Sequence, residues 1–121
     1  MHRQTELHMY KRRIGYTISL LTALALSPAA SAADGKTIYS GTCAACHGAQ
    51  GQGTPGMAPA LKGDPFIIKG RIADIEDTIQ NGRSGAKKKY KDIHMDMPAW
   101  HLPEADLKAV VAYLRGDLQK Q

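Results

Sequence analysis

Five consecutive residues, Cys43-Ala44-Ala45-Cys46-His47, carry the most specific chemistry in this chain of 121 residues. They form the C-x-x-C-H pattern through which a protein attaches haem covalently. The two thiols add to the two vinyl groups of one porphyrin, and the imidazole one position later binds the iron. The pentapeptide therefore predicts one covalent haem c, with Cys43 and Cys46 as its links and His47 as an iron ligand.

Three other sites can be built around two cysteines at this spacing. A thioredoxin-type redox dithiol requires a βαβ unit, and no strand pattern is present to build one. A structural zinc site requires two further ligands at comparable spacing, but the chain has no other cysteine. A plain Cys43–Cys46 disulfide stays open as an alternative, although it leaves His47 without a role. We therefore favour haem attachment.

The first 32 residues resemble a secretory signal peptide. Basic residues at 11–13 precede an apolar stretch at 14–26, and the triplet Ala-Ser-Ala at 30–32 is typical of a cleavage site. The sequence predicts cleavage after about Ala32, export to the periplasm and one domain over residues 33–121. The alternative is an uncleaved membrane anchor, because the apolar stretch is close to the length that crosses a bilayer.

The charge balance gives no support to nucleic-acid binding. The chain has 16 Lys and Arg against 11 Asp and Glu, and four of these basic residues and one acidic residue lie in the leader, which leaves 12 against 10. The basic residues are not interleaved with aromatic residues on which bases would stack. A domain this small has a marginal hydrophobic core, which a buried porphyrin would enlarge.

Helices and loops are predicted to position the cysteines and the histidine. A helix over residues 35–45, capped by Asp34, delivers the pentapeptide at its C-terminal end. Five glycines and two prolines make residues 48–63 a loop. A second helix is expected at about 72–81, ended by Gly82, with one apolar face formed by Ile72, Ile75 and Ile79.

The last predicted helix begins after a second loop at residues 83–100. Pro103 stands at its first turn, and acidic residues follow near its positive end. Its apolar stripe consists of Leu107, Val110, Val111, Leu114 and Leu118. Since no alternating strand pattern competes with these helices, the predicted fold class is all-α.

Residues 34–121 resemble the class I c-type cytochromes, small exported electron carriers whose helices fold around one haem. Gly35 and Tyr39 ahead of the cysteines are similar to that family's N-terminal helix. The resemblance implies the cytochrome c fold, with three or more helices and loops wrapped around one covalently bound haem. It also implies that the first helix contacts the last one through Val110 and Tyr113.

The resemblance implies Met97 as the sixth iron ligand, because Met-Pro-Ala-Trp at 97–100, followed by an amphipathic helix, is similar to the family's distal loop. A thioether suits a low-spin iron that exchanges electrons. Met95 stays a candidate, although no proline follows it. His94 and His101 offer a bis-histidine alternative, which would lower the reduction potential. Met57 is interpreted as a packing residue.

Three further residues are candidates for the surroundings of the haem. Pro59 matches the family's proline whose carbonyl accepts a hydrogen bond from the iron-bound histidine. Trp100 either bonds a haem propionate or covers the haem edge, and we favour the packing role. Arg83 either meets a haem propionate or is a solvated surface arginine, and we favour the surface role.

Four lysines surround Tyr90 in the loop before the methionine: Lys87, Lys88, Lys89 and Lys91. Such a cluster, in a domain of small net charge, would steer an acidic redox partner toward the haem edge. The alternative is a solvated loop without a docking role.

Together these patterns predict a soluble periplasmic electron carrier with a six-coordinate His/Met haem. Such a protein is not an enzyme, has no small-molecule substrate and meets redox partner proteins in transient contacts. One alternative is the cytochrome subunit of a larger oxidoreductase. Another is a haem sensor or haem enzyme with a labile sixth ligand, although four-helix haem sensors carry C-x-x-C-H near their C-terminus, unlike this chain.

Overall fold

The computed structural model describes residues 33–121, so the predicted leader and its cleavage site lie outside the described residues. Five α-helical segments follow one another: α1 (Gly35–Ile38), α2 (Ala44–His47), α3 (Pro65–Lys69), α4 (Ile72–Asn81) and α5 (Glu104–Arg115). A π-helical turn, Tyr39–Cys43, joins α1 to α2, and 3-10 turns lie at Gly85–Lys87 and Asp117–Lys120. In this part of the chain β structure is limited to two isolated bridges. The all-α prediction is confirmed.

The N-terminal helical segment runs two residues beyond its predicted end. Asp34 caps it as predicted, because its carboxylate accepts the backbone N–H of Thr37 at 3.2 Å. In the widened π-helical turn, the N–H of Ala44 donates to the carbonyl of Tyr39, five residues back. Gly48, with φ +81°, ends the segment. The cysteines and the histidine thus stand on continuous helical backbone.

The first and last helices dock where Gly35 has no side chain. A Cβ built on Gly35 would lie 2.2 Å from the carbonyl oxygen of Ala109 and 2.9 Å from Cβ of Tyr113. The rings of Tyr39 and Tyr113 pack with their centroids 5.5 Å apart. The contact between the two ends of the domain is present as expected, and only glycine permits so close an approach.

Helix α4 has the predicted bounds, and Gly82 ends it with φ +66°. Ile75 and Ile79 are buried, whereas Ile72, the first residue of the helix, is 50% exposed.

Helix α3 has no counterpart in the predicted elements. Asp64 caps it by accepting the N–H of Phe66 at 2.6 Å, and Pro65 occupies its first turn. The guanidinium of Arg115 donates to the carbonyls of Ile67, at 2.9 Å, and Gly70. These bonds fix α3 to the end of α5.

The core lies between the N-terminal helical segment, α4 and α5. Its buried members are Ile38, Tyr39, Ile67, Ile75, Ile79, Leu107, Val110, Val111, Tyr113, Leu114 and Leu118. Leu118, predicted on the stripe of α5, belongs to the 3-10 turn after it and is fully buried. Within residues 33–121, no helix has both the length and the apolar character needed to cross a bilayer.

Candidate haem-binding site

The site residues inferred from the sequence meet at one cleft. Its walls include Cys43, Cys46, His47, Pro59, Met97 and Trp100. The cleft holds about 1140 Å³ of empty space, including its open mouth, and its lining is predominantly apolar. Cofactor sites are concave and lined mostly by apolar side chains, and this cleft has both properties.

His47 is buried, with 8% of its surface exposed. Its Nδ1 lies 2.9 Å from the carbonyl oxygen of Pro59. Because a carbonyl only accepts, Nδ1 carries the proton and Nε2 keeps its lone pair for a metal. Burial lowers the pKa of His47, and the bond to Pro59 opposes part of that shift. The buried side chain is thus a neutral imidazole, the form that binds iron.

Cys43 and Cys46 are both half-buried and are not joined to each other. Burial, followed by the nearby Cys46, raises the pKa of the Cys43 thiol to about 11. A thiolate is therefore unfavourable in this cleft, whereas a thioether carries no charge and suits an apolar wall. Two thiols and one neutral imidazole on the same wall fit a covalently attached haem.

Three hydrogen bonds hold the backbone around His47. The Tyr39 hydroxyl donates to the carbonyl of Gly48 at 2.6 Å, and the Thr54 hydroxyl donates to that of Cys46 at 2.8 Å. The N–H of Gly53 donates to the carbonyl of His47 at 2.7 Å. The glycine-rich loop therefore wraps against the C-x-x-C-H segment and fixes its position.

Met97 is held by its backbone against the end of α4. Its N–H and carbonyl form two hydrogen bonds of 2.9 Å with the carbonyl and N–H of Arg83. A Cβ on Gly82 would lie 2.2 Å from the carbonyl oxygen of Met97, so the two backbone segments are in direct contact. The N–H of Trp100 donates to the carbonyl of Ile79 at 3.0 Å. The half-exposed Trp100 ring lines the cleft beside this loop.

The other candidate ligands divide into two groups. Met95 and Met57 also line the cleft, and they are 50% and 37% exposed. Met97 is more buried than either of them. His94 and His101 are exposed and do not belong to the lining. The arrangement thus favours a methionine over the bis-histidine alternative.

Arg83 is not the solvated surface residue that we expected from the sequence. Its side chain is half-buried, lines the cleft and donates from Nε and Nη2 to the hydroxyl of Thr78, at 3.0 and 2.7 Å. Its guanidinium lies 4.9 Å from the ring centroid of Phe66. These contacts with Thr78 and Phe66 hold the Arg83 side chain at the cleft.

The four lysines do not form one exposed patch. The Lys88 ammonium pairs with Asp96 at 3.4 Å, and its side chain is 15% exposed. The Lys89 ammonium lies 4.6 Å from the centroid of Phe66, and both lysines line the cleft. Lys89 is nevertheless exposed, as are Lys87 and Lys91, which do not line the cleft. Half of the predicted docking cluster therefore faces the cleft.

The sequence reasoning missed Asp64, Phe66 and the role of Tyr90, which line the same cleft. The Tyr90 hydroxyl donates to the buried carboxylate of Asp64. Burial and this bond raise the pKa of Tyr90 to about 12. Two signals in the sequence could have indicated these residues. Tyr90 is an aromatic residue within a run of lysines, and the pair Asp64-Pro65 is typical of the start of a helix.

An all-α fold with a C-x-x-C-H segment on an apolar cleft defines a c-type cytochrome. Residues 32–116 match the family model for cytochrome c, and the chain belongs to that family. It carries one covalently bound haem c and is an electron-transfer protein. The class predicted from the sequence is confirmed.

Several similar proteins carry one description, Cbb3-type cytochrome c oxidase subunit CcoP. That of Azospirillum brasilense is 39% identical over 95 residues, which cover 73% of this chain and 29% of the relative. That of Cereibacter sphaeroides is 35% identical over 91 residues, covering 73% and 28%. That of Helicobacter pylori is 32% identical over 84 residues, covering 69% and 26%. This chain spans less than a third of these relatives' length.

Proposed function

We propose that this chain transfers single electrons as the cytochrome component of a larger oxidoreductase. Its haem iron is bound by His47 and Met97, and Cys43 and Cys46 hold the porphyrin. The observation that carries the site is the apolar cleft with a neutral imidazole on one segment and a backbone-fixed methionine on another. The assembly is supported by relatives that are named as oxidase subunits.

When bound, the haem supplies a one-electron iron couple. The protein's own contribution is position and environment. Pro59 orients the His47 ring, and the bridge between Arg83 and Met97 fixes the backbone that presents the thioether. His47 and Met97 would hold the iron between them, and the apolar walls of the cleft would keep water and substrate away from a bound haem, as suits simple electron exchange.

Charged residues of the cleft are suited to the haem carboxylates. Among the described residues, neither Arg83 nor Lys89 has a carboxylate within the 4.0 Å of a salt bridge. The carboxylate of Asp64 already accepts hydrogen bonds from the Tyr90 hydroxyl and from the backbone N–H of Phe66. We therefore assign Arg83 and Lys89 to the propionate edge, where an anion would compensate their charge.

The partner is a second redox protein that approaches the mouth of the cleft. Exposed apolar side chains there, Met57, Met95 and Trp100, form the surface nearest the haem edge. In an oxidase of the cbb3 type, the remaining subunits would accept the electron. Lys87 and Lys91 are the two lysines still available to steer an acidic partner, and such steering weakens with salt.

A free periplasmic carrier is the second candidate, favoured by the Ala-Ser-Ala triplet at 30–32. Cleavage there would release the haem domain into the periplasm, whereas an uncleaved leader would keep it at the membrane. Size-exclusion chromatography of a detergent extract distinguishes the two. Co-elution with an oxidase, and oxygen consumption that depends on this chain, support the subunit; elution as a small cleaved protein supports the carrier.

The ligand assignment is tested by Met97→Ala with Met95→Leu as its matched control. We expect Met97→Ala to lose the weak long-wavelength band of methionine-ligated ferric haem and to bind carbon monoxide when reduced. Met95→Leu should keep the band, because Met95 is the more exposed side chain. Loss of the band in Met95→Leu alone would move the ligand to Met95. Rapid carbon monoxide binding by the unmodified protein would instead favour a sensor or an enzyme.

A further inference from the structure

Residues 84–96, here called the covering loop, are closed at their base by the hydrogen bonds between Arg83 and Met97. Six side chains of this loop line the haem cleft: Lys88, Lys89, Tyr90, Ile93, Met95 and Asp96. The loop therefore forms one wall of the site, and Met97 follows it directly. Contacts that hold the covering loop in place therefore also keep the Met97 side of the cleft covered.

Most hydrogen bonds of the covering loop stay inside it. Its backbone bonds join Lys87 to Ser84 and Lys88 to Gly85. Side-chain bonds run from Lys88 to the carbonyl of His94 and from Lys91 to a loop carbonyl. Such internal bonds do not attach the loop to the rest of the domain.

Among the described residues, one hydrogen bond links the covering loop to the body of the domain. The Tyr90 hydroxyl donates to Oδ2 of Asp64, whose Oδ1 caps α3 by accepting the N–H of Phe66. The acceptor, Asp64, is 9% exposed, and Tyr90 is half-buried. The Lys89 ammonium, 4.6 Å from the Phe66 ring, adds a weaker contact to the same helix.

We propose that Tyr90 and Asp64 are positioning residues that hold the covering loop closed over the haem cleft and so protect the iron–methionine bond from competing ligands. The inference rests on the proposed His47/Met97 ligation. A hydrogen bond to a carboxylate is stronger than one between two neutral groups. A loop with a single such attachment opens by local unfolding when the attachment is removed, without unfolding of the whole domain.

The test measures the rate at which imidazole, a small neutral ligand, replaces the methionine in the ferric holoprotein. Tyr90→Phe keeps the ring and removes the hydroxyl, and we expect about tenfold faster replacement, the factor that corresponds to a lost bond of this type. Tyr113→Phe is the matched control, since its hydroxyl contacts Gln121 instead of the cleft. It should bind imidazole at the rate of the unmodified protein.

A second pair of variants separates positioning from general destabilisation. Asp64→Asn keeps one oxygen for the helix cap and places an amide N–H, which can donate to the Tyr90 oxygen, where Oδ2 stood. Because this replacement bond is neutral, the rate should lie between those of the unmodified protein and Asp64→Ala. Asp64→Ala should be as fast as Tyr90→Phe. Hydrogen exchange should be faster only in residues 84–96 in Tyr90→Phe, and in Asp64→Ala it should also be faster at the start of α3, which loses its cap.

The outcomes distinguish this inference from the proposed function. If the unmodified protein lacks the methionine band, the ligation itself is wrong. If the band is present but Tyr90→Phe and Tyr113→Phe replace methionine at equal rates, the ligation stands and the positioning role is refuted. Equal rates for Asp64→Asn and Asp64→Ala would also refute it.

Discussion

One methyl group at Gly35 should disturb the contact between the two ends of the domain. In Gly35→Ala, the new Cβ would lie 2.2 Å from the carbonyl oxygen of Ala109, whereas real Cβ contacts do not fall below 3.0 Å. The difference, 3.0 minus 2.2, requires the helices to separate by at least 0.8 Å. Neither atom can rotate away, because the Ala109 oxygen belongs to the backbone and the new Cβ is bonded directly to the backbone.

The magnitude follows from two opposing contributions. Overpacking of a core costs about 1–3 kcal/mol, and a clash with a backbone carbonyl belongs at the upper end because no rotamer relieves it. The higher helix propensity of alanine returns about 1 kcal/mol. We therefore expect Gly35→Ala to lower the free energy of unfolding by about 2 kcal/mol, or Tm by about 8–16 °C for a domain of this size.

Gly41→Ala is the matched control, because a Cβ at Gly41 has no neighbouring atom within 4 Å. It should leave stability unchanged or raise it by about 0.5–1 kcal/mol. Guanidinium unfolding of both holoproteins, followed by circular dichroism, measures the difference. Equal stabilities for the two variants would refute the argument that the helices are in direct backbone contact.

Two further substitutions test the loop and the core. At Gly82 a substitution meets both a positive φ and the backbone of Met97, so Gly82→Ala should weaken the methionine band. Gly85 also has a positive φ, +50°, but open space around it. Gly85→Ala should therefore cost about 1–2 kcal/mol of strain without changing the ferric spectrum. An unchanged methionine band in Gly82→Ala would show that Gly82 does not influence the position of Met97. Burial raises the pKa of Tyr39 from 10.0 to about 12, so its neutral hydroxyl stabilises the fold fully below pH 10, and this contribution is lost as pH rises through 12. Tyr39→Phe should cost about 1 kcal/mol at neutral pH and should lose less stability than the unmodified protein between pH 10 and pH 12; equal alkaline losses in unfolding titrations would contradict this.

The parts of the fold that local signals determine were predictable. The bounds of α4 follow from apolar spacing and from a glycine placed to end the helix, and both signals lie within the helix or next to it. The cap at Asp34 is equally local. The cysteines and His47 were assigned because their spacing reflects the dimensions of one cofactor, and Pro59 was assigned from the resemblance to the family.

The missed features depend on length or on distant contacts. Helix α3 has five residues, too few for a periodic pattern, so in the sequence only Asp64 and Pro65 indicate its start. The side chain of Arg83 is held at the cleft by Phe66, a residue distant in sequence. The charge of the lysine cluster can be read from the sequence, but the directions of Lys88 and Lys89 depend on Asp96 and Phe66.

The end of α4 couples the core to the methionine. Ile79, buried at 5%, packs in the core through its side chain while its carbonyl accepts the N–H of Trp100. Three residues later Gly82 touches the backbone of Met97, and Arg83 pairs with it. The helix terminus that completes the hydrophobic core thus also fixes the distal loop at three points. A c-type cytochrome assembled in this way keeps its methionine positioned for as long as its core is folded, and the covering loop between Arg83 and Met97 is the part that can open without unfolding that core.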